Sequence, residues 1–192
     1  MHTNRKKTAK GDYGYHKSQR IRKLILTAVL YLAAFSMYFA ARVLLGTNQN
    51  WFTILAVLIL LPAAKQTVAL IMLFRAGDCP QEVYTAVESH VGSLDHAYEL
   101  YFTTEKKNFN ILHLTAAGKT IAALTQDPTC DCQAGEQHIR KMLMSNGFHG
   151  YQVKIFTSLG TYLTRLDQLQ DLGSEEGADH ETLFTLLYRI SL

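Results

Sequence analysis

The sequence predicts a two-helix transmembrane hairpin followed by a small α/β domain of the α+β kind, with a mixed sheet and helices in the order αβββαβα. Three observations predict it. Two apolar runs, 24–46 and 51–74, are each long enough as a helix to cross a hydrocarbon core of roughly 30 Å, and only Thr47-Asn48-Gln49-Asn50 separates them. Beyond Arg75 the long runs give way to short segments with strand or helix periodicity. Charge is divided the same way: residues 1–23 carry eight Lys and Arg against Asp12 alone, 24–75 contain no acid, and 76–192 hold eight bases against fifteen acids.

The composition, 48% hydrophobic and 18% charged, is too apolar for an ordinary soluble domain of 192 residues. Its net charge of +3 sums a basic tail, a nearly uncharged middle and an acidic domain. Basic clusters suit nucleic acid, but this one abuts an apolar run and the remaining domain is acidic. An anionic inner leaflet is the better partner, because juxtamembrane Lys and Arg are each attracted to it by about 1 kcal/mol. Tyr13, Tyr15 and His16 interleave with the basic run, which suits either the headgroup layer or a solvated tail.

The first run, LILTAVLYLAAFSMYFAARVLLG, carries only Arg42, near its far end. Gly46 is a helix-ending residue, so the short link makes the two runs antiparallel neighbours. Trp51 stands where an interfacial aromatic belongs. Arg20, Arg22 and Lys23 before the first run and Arg75 after the second place both ends, and everything after Phe74, on the cytoplasmic side of a cell membrane. A cleaved signal peptide is disfavoured by the length of the apolar core and by the span that follows at once. Within the second run Pro62 and Lys65 interrupt the pattern. Lys65 lies ten residues from Arg75, about 15 Å along a helix and too deep to reach the inner headgroups without tilt or thinning; the readings are a specific ion or lipid-headgroup contact, or snorkelling from a proline-loosened helix.

The domain at 75–192 begins with a helix over 80–91, Pro80 leading and Val83, Ala86, Val87 and Val91 on one face. Segments 98–104, 109–115 and 120–125 read as strands, and the four-residue links between them predict an antiparallel meander. A helix follows over 131–146, with Ile139, Met142 and Leu143 as its stripe and Gly147 as its stop. Tyr151, Val153 and Ile155 alternate with Gln152 and Lys154, a strand pattern over 151–157. Leu159, Tyr162, Leu163, Leu166 and Leu169 recur at helical spacing, and Leu183, Leu186, Leu187 and Ile190 give a last amphipathic segment expected to dock on its own domain.

This order looks like the core of the restriction-endonuclease-like superfamily, whose active members hold a metal through an acid on the second strand and an acid-x-lysine pair on the third. Here no Asp or Glu occurs between Asn108 and Gln126, so those strands supply no such metal site. Gly118-Lys119-Thr120 resembles the end of a phosphate-binding loop, but His113 occupies the place of the leading glycine and a strand, not a helix, follows. Cys130, Cys132 and His138 are the nearest approach to a zinc set, although the one-residue gap is not the usual spacing and no second ligand pair accompanies it. Three reduced cysteines and no cofactor are the expectation.

Over nearly its whole length the chain resembles a group of uncharacterised two-span membrane proteins of Gram-positive gut bacteria. The similarity runs through the basic start, the hairpin, Val91-Gly92-Ser93-Leu94, Tyr98-Glu99-Leu100-Tyr101-Phe102-Thr103 and Val153-Lys154-Ile155-Phe156-Thr157. Some of that group are labelled "O-linked GlcNAc transferase-like". The residues give that label no support, since the domain is too short for a two-domain glycosyltransferase and shows no helical repeat. The functional expectation is a membrane-anchored interaction or regulatory domain without evident catalytic activity, with the bilayer, a protein partner or a second copy as partners. The alternatives are an enzyme of unknown chemistry, nuclease-like or transferase-like, and a lipid- or ion-responsive oligomer built on Lys65.

Overall fold

A computed structural model of the chain describes residues 9–46, 51–104, 107–171 and 180–192. Among them, six helices and a four-stranded mixed sheet divide between two compact units: one is His16–Ala76, the other Gly77–Leu192 together with the described residues before His16. The link at 47–50 and most of the polar loop before the last helix lie outside the described residues.

The first unit consists of α1 (Tyr15–Leu45) and α2 (Trp51–Arg75). At 1.5 Å per residue they are about 46 and 38 Å long, and both are long and apolar enough to cross a membrane. Helix α1 starts well before Leu24, where the sequence placed the end of a basic tail. The stretch YHKSQRIRK has no Gly or Pro and is rich in good helix formers, so the helix extends back to Gly14, whose φ of +78° breaks it. Thr27, Ala34 and Ala41 on α1 and Ala56 and Ala63 on α2 are buried, each seven residues from the next on its helix. That heptad spacing of small side chains lets two backbones approach closely. Tyr31 Oη and Thr67 Oγ1, 3.2 Å apart, join the helices, and Thr67 also donates to the Ala63 carbonyl.

The second unit contains α3 (Gln81–Val91), β1 (Asp95–Thr103), β2 (Asn108–Ala117), β3 (Thr120–Leu124), α4 (Cys132–Ser145), β4 (Gln152–Phe156), α5 (Leu159–Asp171) and α6 (His180–Ile190). The sheet order is β1-β2-β3-β4, with β1, β2 and β3 an antiparallel meander and β4 parallel to β3. A parallel pair needs a crossover, which α4 supplies. Leu100, Phe102, Ile111 and Leu114 face α4 and α6 in one core, joined by Ile139, Leu143, Leu183 and Leu187. The other core holds Val83, Val87 and Val91 of α3 with Tyr162, Leu166 and Leu169 of α5 against Tyr98, Leu112 and Leu124. Helix α6 therefore docks on its own domain. Gly135 brings α4 close to the sheet, since a Cβ there would stand 2.8 Å from Ile155 Cδ1.

Both edges of the sheet are occupied. Tyr98 N–H donates to the Gly11 carbonyl at 2.7 Å and Leu192 N–H to the Tyr101 carbonyl at 2.8 Å, so Gly11 and Leu192 lie along β1. Lys10 Nζ binds the carbonyls of Tyr188 and Ser191, satisfying the end of α6. Residues 9–13 are thus part of the α/β unit. On the opposite edge the Glu136 carboxylate accepts the Ile155 N–H at 3.0 Å, which blunts β4.

Candidate functional site

The β1–β2 ladder pairs Tyr98 with His113 and Leu100 with Ile111, passing over Glu99 and Leu112. Glu99 has φ of +54°, a left-handed conformation that costs a non-glycine residue about 1–3 kcal/mol, and its side chain is 1% exposed. Strict alternation is lost at this point on both strands. Ala97, Leu100 and Phe102 face the α4/α6 core, whereas Leu112 and His113, adjacent in sequence, both face the α3/α5 core. The irregularity gathers polar groups on one face of an otherwise apolar sheet.

At its centre His113 is fully buried, with Nδ1 2.6 Å from Tyr162 Oη. Its Nε2 has no hydrogen-bond partner among the described residues. Burial holds His113 well below the usual histidine range, with a smaller push from His96, whose ring centre is 5.3 Å away. Burial likewise raises Tyr162 well above an ordinary phenol. The neutral imidazole bonded to a neutral phenol is the state this environment favours. Beside them Tyr98 Oη donates to Glu88 Oε1 at 2.8 Å, and its ring lies 4.5 Å from that of His113. Desolvation and the Glu88 carboxylate raise Tyr98 as well.

Glu99 completes the cluster from the other side. Its Oε1 accepts the backbone N–H groups of Gly14 and Cys79, each at 3.2 Å. The Cys79 thiol, 4% exposed, is pushed up to about 12 by burial and then by Glu99. Tyr13 stacks on Tyr84 with ring centres 4.2 Å apart and donates to Gln81 Oε1 at 3.0 Å. The N-terminal segment is thereby clamped over α3. Chemically this is a polar network buried at His113, Tyr162 and Glu99 and reaching the surface at Glu88 and Tyr13. Sequence reading missed it as a unit, although a carboxylate inside AYELYF and a histidine inside NILHLTAA each interrupt an apolar strand and supply the signal.

The residues expected to act lie elsewhere. Arg20 belongs to the helical unit and caps α2, its Nε donating to the Leu73 carbonyl at 2.9 Å and its Nη2 to the Ala76 carbonyl. Its guanidinium also lies 5.5 Å over the Phe74 ring. Helix C-termini present unsatisfied carbonyls and partial negative charge, so this arginine has a defined protein partner besides any lipid. Arg22 and Arg75 are exposed and Lys23 is half-buried. Trp51 is 83% exposed at the first turn of α2. Lys65 is exposed on α2, beyond Pro62, through which the helix continues.

Cys130 and Cys132 are free and half-buried, and the Cys132 thiol donates to the Cys130 carbonyl at 3.8 Å. Burial and the neighbouring Cys132 push the Cys130 thiol up to about 12. His138 lies instead over the Phe109 ring, with centres 6.3 Å apart, and the three do not bring ligand atoms together as a metal set. Strands β2 and β3 carry no carboxylate, so the acids nearest His113 come from α3 and β1. No family model, curated protein or solved structure matches this chain.

Proposed function

We propose that the protein is a membrane-anchored interaction or regulatory domain, held at the cytoplasmic face of the cell membrane by its two-span hairpin. One observation carries this reading. On α1 and α2 the large apolar side chains point outward, Leu32 at 71%, Phe39 at 59%, Val43 at 81% and Leu61 at 65% exposure, while alanines fill the seam. A helix pair from a soluble core has the opposite arrangement, because burying large apolar groups is what stabilises it. Lipid removes that drive and leaves close packing of small residues as the cohesive contact. The excess of Lys and Arg at the outer ends of the two helices supports an orientation with both termini inside. The polar network around His113 supports a scaffold role, since His113 and Tyr162 are buried between the sheet and α5.

The test uses a variant with Cys79, Cys130 and Cys132 replaced by serine and one cysteine reintroduced, either Trp51→Cys or Gln133→Cys, in right-side-out membrane vesicles. A membrane-impermeant maleimide is expected to label the first and spare the second until the vesicles are opened, with the protein remaining in the pellet after alkaline carbonate extraction. Extraction into the soluble fraction refutes the anchor. The reverse labelling pattern refutes the orientation.

A further inference from the structure

The acidic α/β domain concentrates cations at one place. A cleft of about 420 Å³ wraps the β4 edge of the sheet, with Arg140 of α4, Lys154 of β4 and Arg165 of α5 on its walls and Glu136 as its one acid. These are three of the eight Lys and Arg residues beyond position 75, in a segment with fifteen acids. Such segregation against the net charge is not what random surface placement gives, and it focuses positive potential on one concavity.

The ion pairs within the cleft leave that potential largely unspent. Glu136 is 14% exposed and already engaged by Lys154 Nζ at 3.3 Å and by the Ile155 N–H. Arg165 bonds only the neutral Gln168 side chain, at 3.0 Å, and Arg140 has no ion-pair partner among the described residues. Three cations against one acid leave a local charge of +2. Because Ile155 N–H points away from β3, alternation turns the Val153 N–H out of the same edge, into the cleft wall. A second cleft of about 390 Å³ adjoins across Arg140 and adds Lys141 and His149.

We propose that this cleft binds a small phosphate monoester. Guanidinium forks match phosphate oxygens two at a time, which a lone ammonium does not do. A monoester carries about −1.5 to −2 at neutral pH, equal to the unpaired charge of the site. The volume falls within the range of small-ligand clefts. The same headgroup chemistry is available from a soluble phosphate ester or from a lipid bearing a terminal phosphate, and both use the same arginines.

The experiment is calorimetric titration of the full chain, in nanodiscs of phosphatidylcholine, with glycerol 3-phosphate. Saturable binding is expected, weakened by about tenfold or more in Arg140→Gln and in Arg165→Gln and unchanged in Lys107→Gln. In discs containing phosphatidic acid, loss of glycerol 3-phosphate binding that phosphatidylglycerol discs do not reproduce, and that Arg140→Gln relieves, assigns the lipid as occupant of the same site. Absence of saturable binding in the first titration together with no effect of Arg140→Gln on association with phosphatidic acid overturns the proposal. So does binding that neither arginine variant weakens. The anchor and the cleft fail separately, because the titration reads the arginines whether or not the hairpin crosses a bilayer.

Discussion

Replacing Tyr162 with phenylalanine is the sharpest probe of the buried network. The side chain keeps its volume and its contacts in the α3/α5 core but loses the hydroxyl that meets His113 Nδ1 at 2.6 Å. His113 Nε2 already has no partner among the described residues, so the variant leaves a fully buried imidazole with neither nitrogen bonded. Losing the bond costs about 1 kcal/mol and stranding the ring roughly another 1–2 kcal/mol. For a domain of this size that total of about 2–3 kcal/mol lowers the unfolding midpoint by about 10 °C. The asymmetry of buried polar pairs gives the decisive comparison. Tyr162→Phe combined with His113→Leu removes both partners and is expected to recover at least about 1 kcal/mol relative to Tyr162→Phe alone. Thermal unfolding of the full chain in detergent, followed by near-ultraviolet circular dichroism, and hydrogen exchange of β2 peptides read the effect. A neutral Tyr162→Phe, or a double variant whose cost equals the sum of the singles, refutes the reasoning.

The same burial makes stability pH-dependent: His113 is held below the usual histidine range by desolvation and then by His96, so below about pH 6.5 the unfolded chain binds a proton that the folded one refuses. Stability is expected to fall as pH drops through that region by up to about 1.4 kcal/mol per unit, with His113→Leu flattening the profile and His138, lowered by its partial burial and by Lys141, adding in the same direction. Arg20→Ala is expected to destabilise the helix pair by about 1–2 kcal/mol by uncapping α2, whereas Arg22→Ala leaves it unchanged; unfolding titration with dodecyl sulfate measures both. Ala63→Leu inserts a branched side chain where no exposure remains and is expected to cost about 1–3 kcal/mol in the same titration, with Leu61→Ala, on the outward face, costing little. Alkylation of Cys79 and Cys130 at pH 8 is expected to be about a thousandfold slower than that of an ordinary thiol, because a thiol pushed up to about 12 holds that much less thiolate, and mass spectrometry of the labelled peptides checks it.

Most of the α/β fold was legible because its elements are locally consistent. Val83, Val87 and Val91 recur at helical spacing and are buried, and Tyr151, Val153 and Ile155 alternate with exposed Gln152 and Lys154 just as their pattern requires. Two things were not legible. The extension of α1 back to Tyr15 was not read, because hydropathy marks where a helix turns apolar, not where its backbone begins, and the basic stretch after Gly14 is helical without being hydrophobic. The phase change at Glu99 escaped because alternation assumes every residue lies in the β region, and one residue at φ of +54° flips the faces that follow. The Cys130, Cys132 and His138 reading treated closeness in sequence as closeness in space, whereas His138 lies over Phe109.

The N-terminal segment shows why edge chemistry governs this domain. Strand β1 has one neighbour, β2, and an uncovered edge of that length is a template for pairing with other chains. Gly11 supplies a carbonyl to Tyr98, Ser191 and Leu192 close the remaining stretch, and Lys10 ties the two terminal pieces to each other. Tyr13 then fixes the segment on Tyr84, and Gly14 gives its N–H to Glu99. The strained conformation of Glu99 is offset by two backbone hydrogen bonds to its carboxylate, one from Cys79 ahead of α3 and one from Gly14, which the N-terminal segment supplies. Part of the strand protection, one of the two hydrogen bonds to the buried carboxylate and the point at which α1 begins all come from one short stretch, residues 9–14. Its place within the basic segment 1–23 alone would assign that stretch to lipid. Its glycines and tyrosine assign it to the fold.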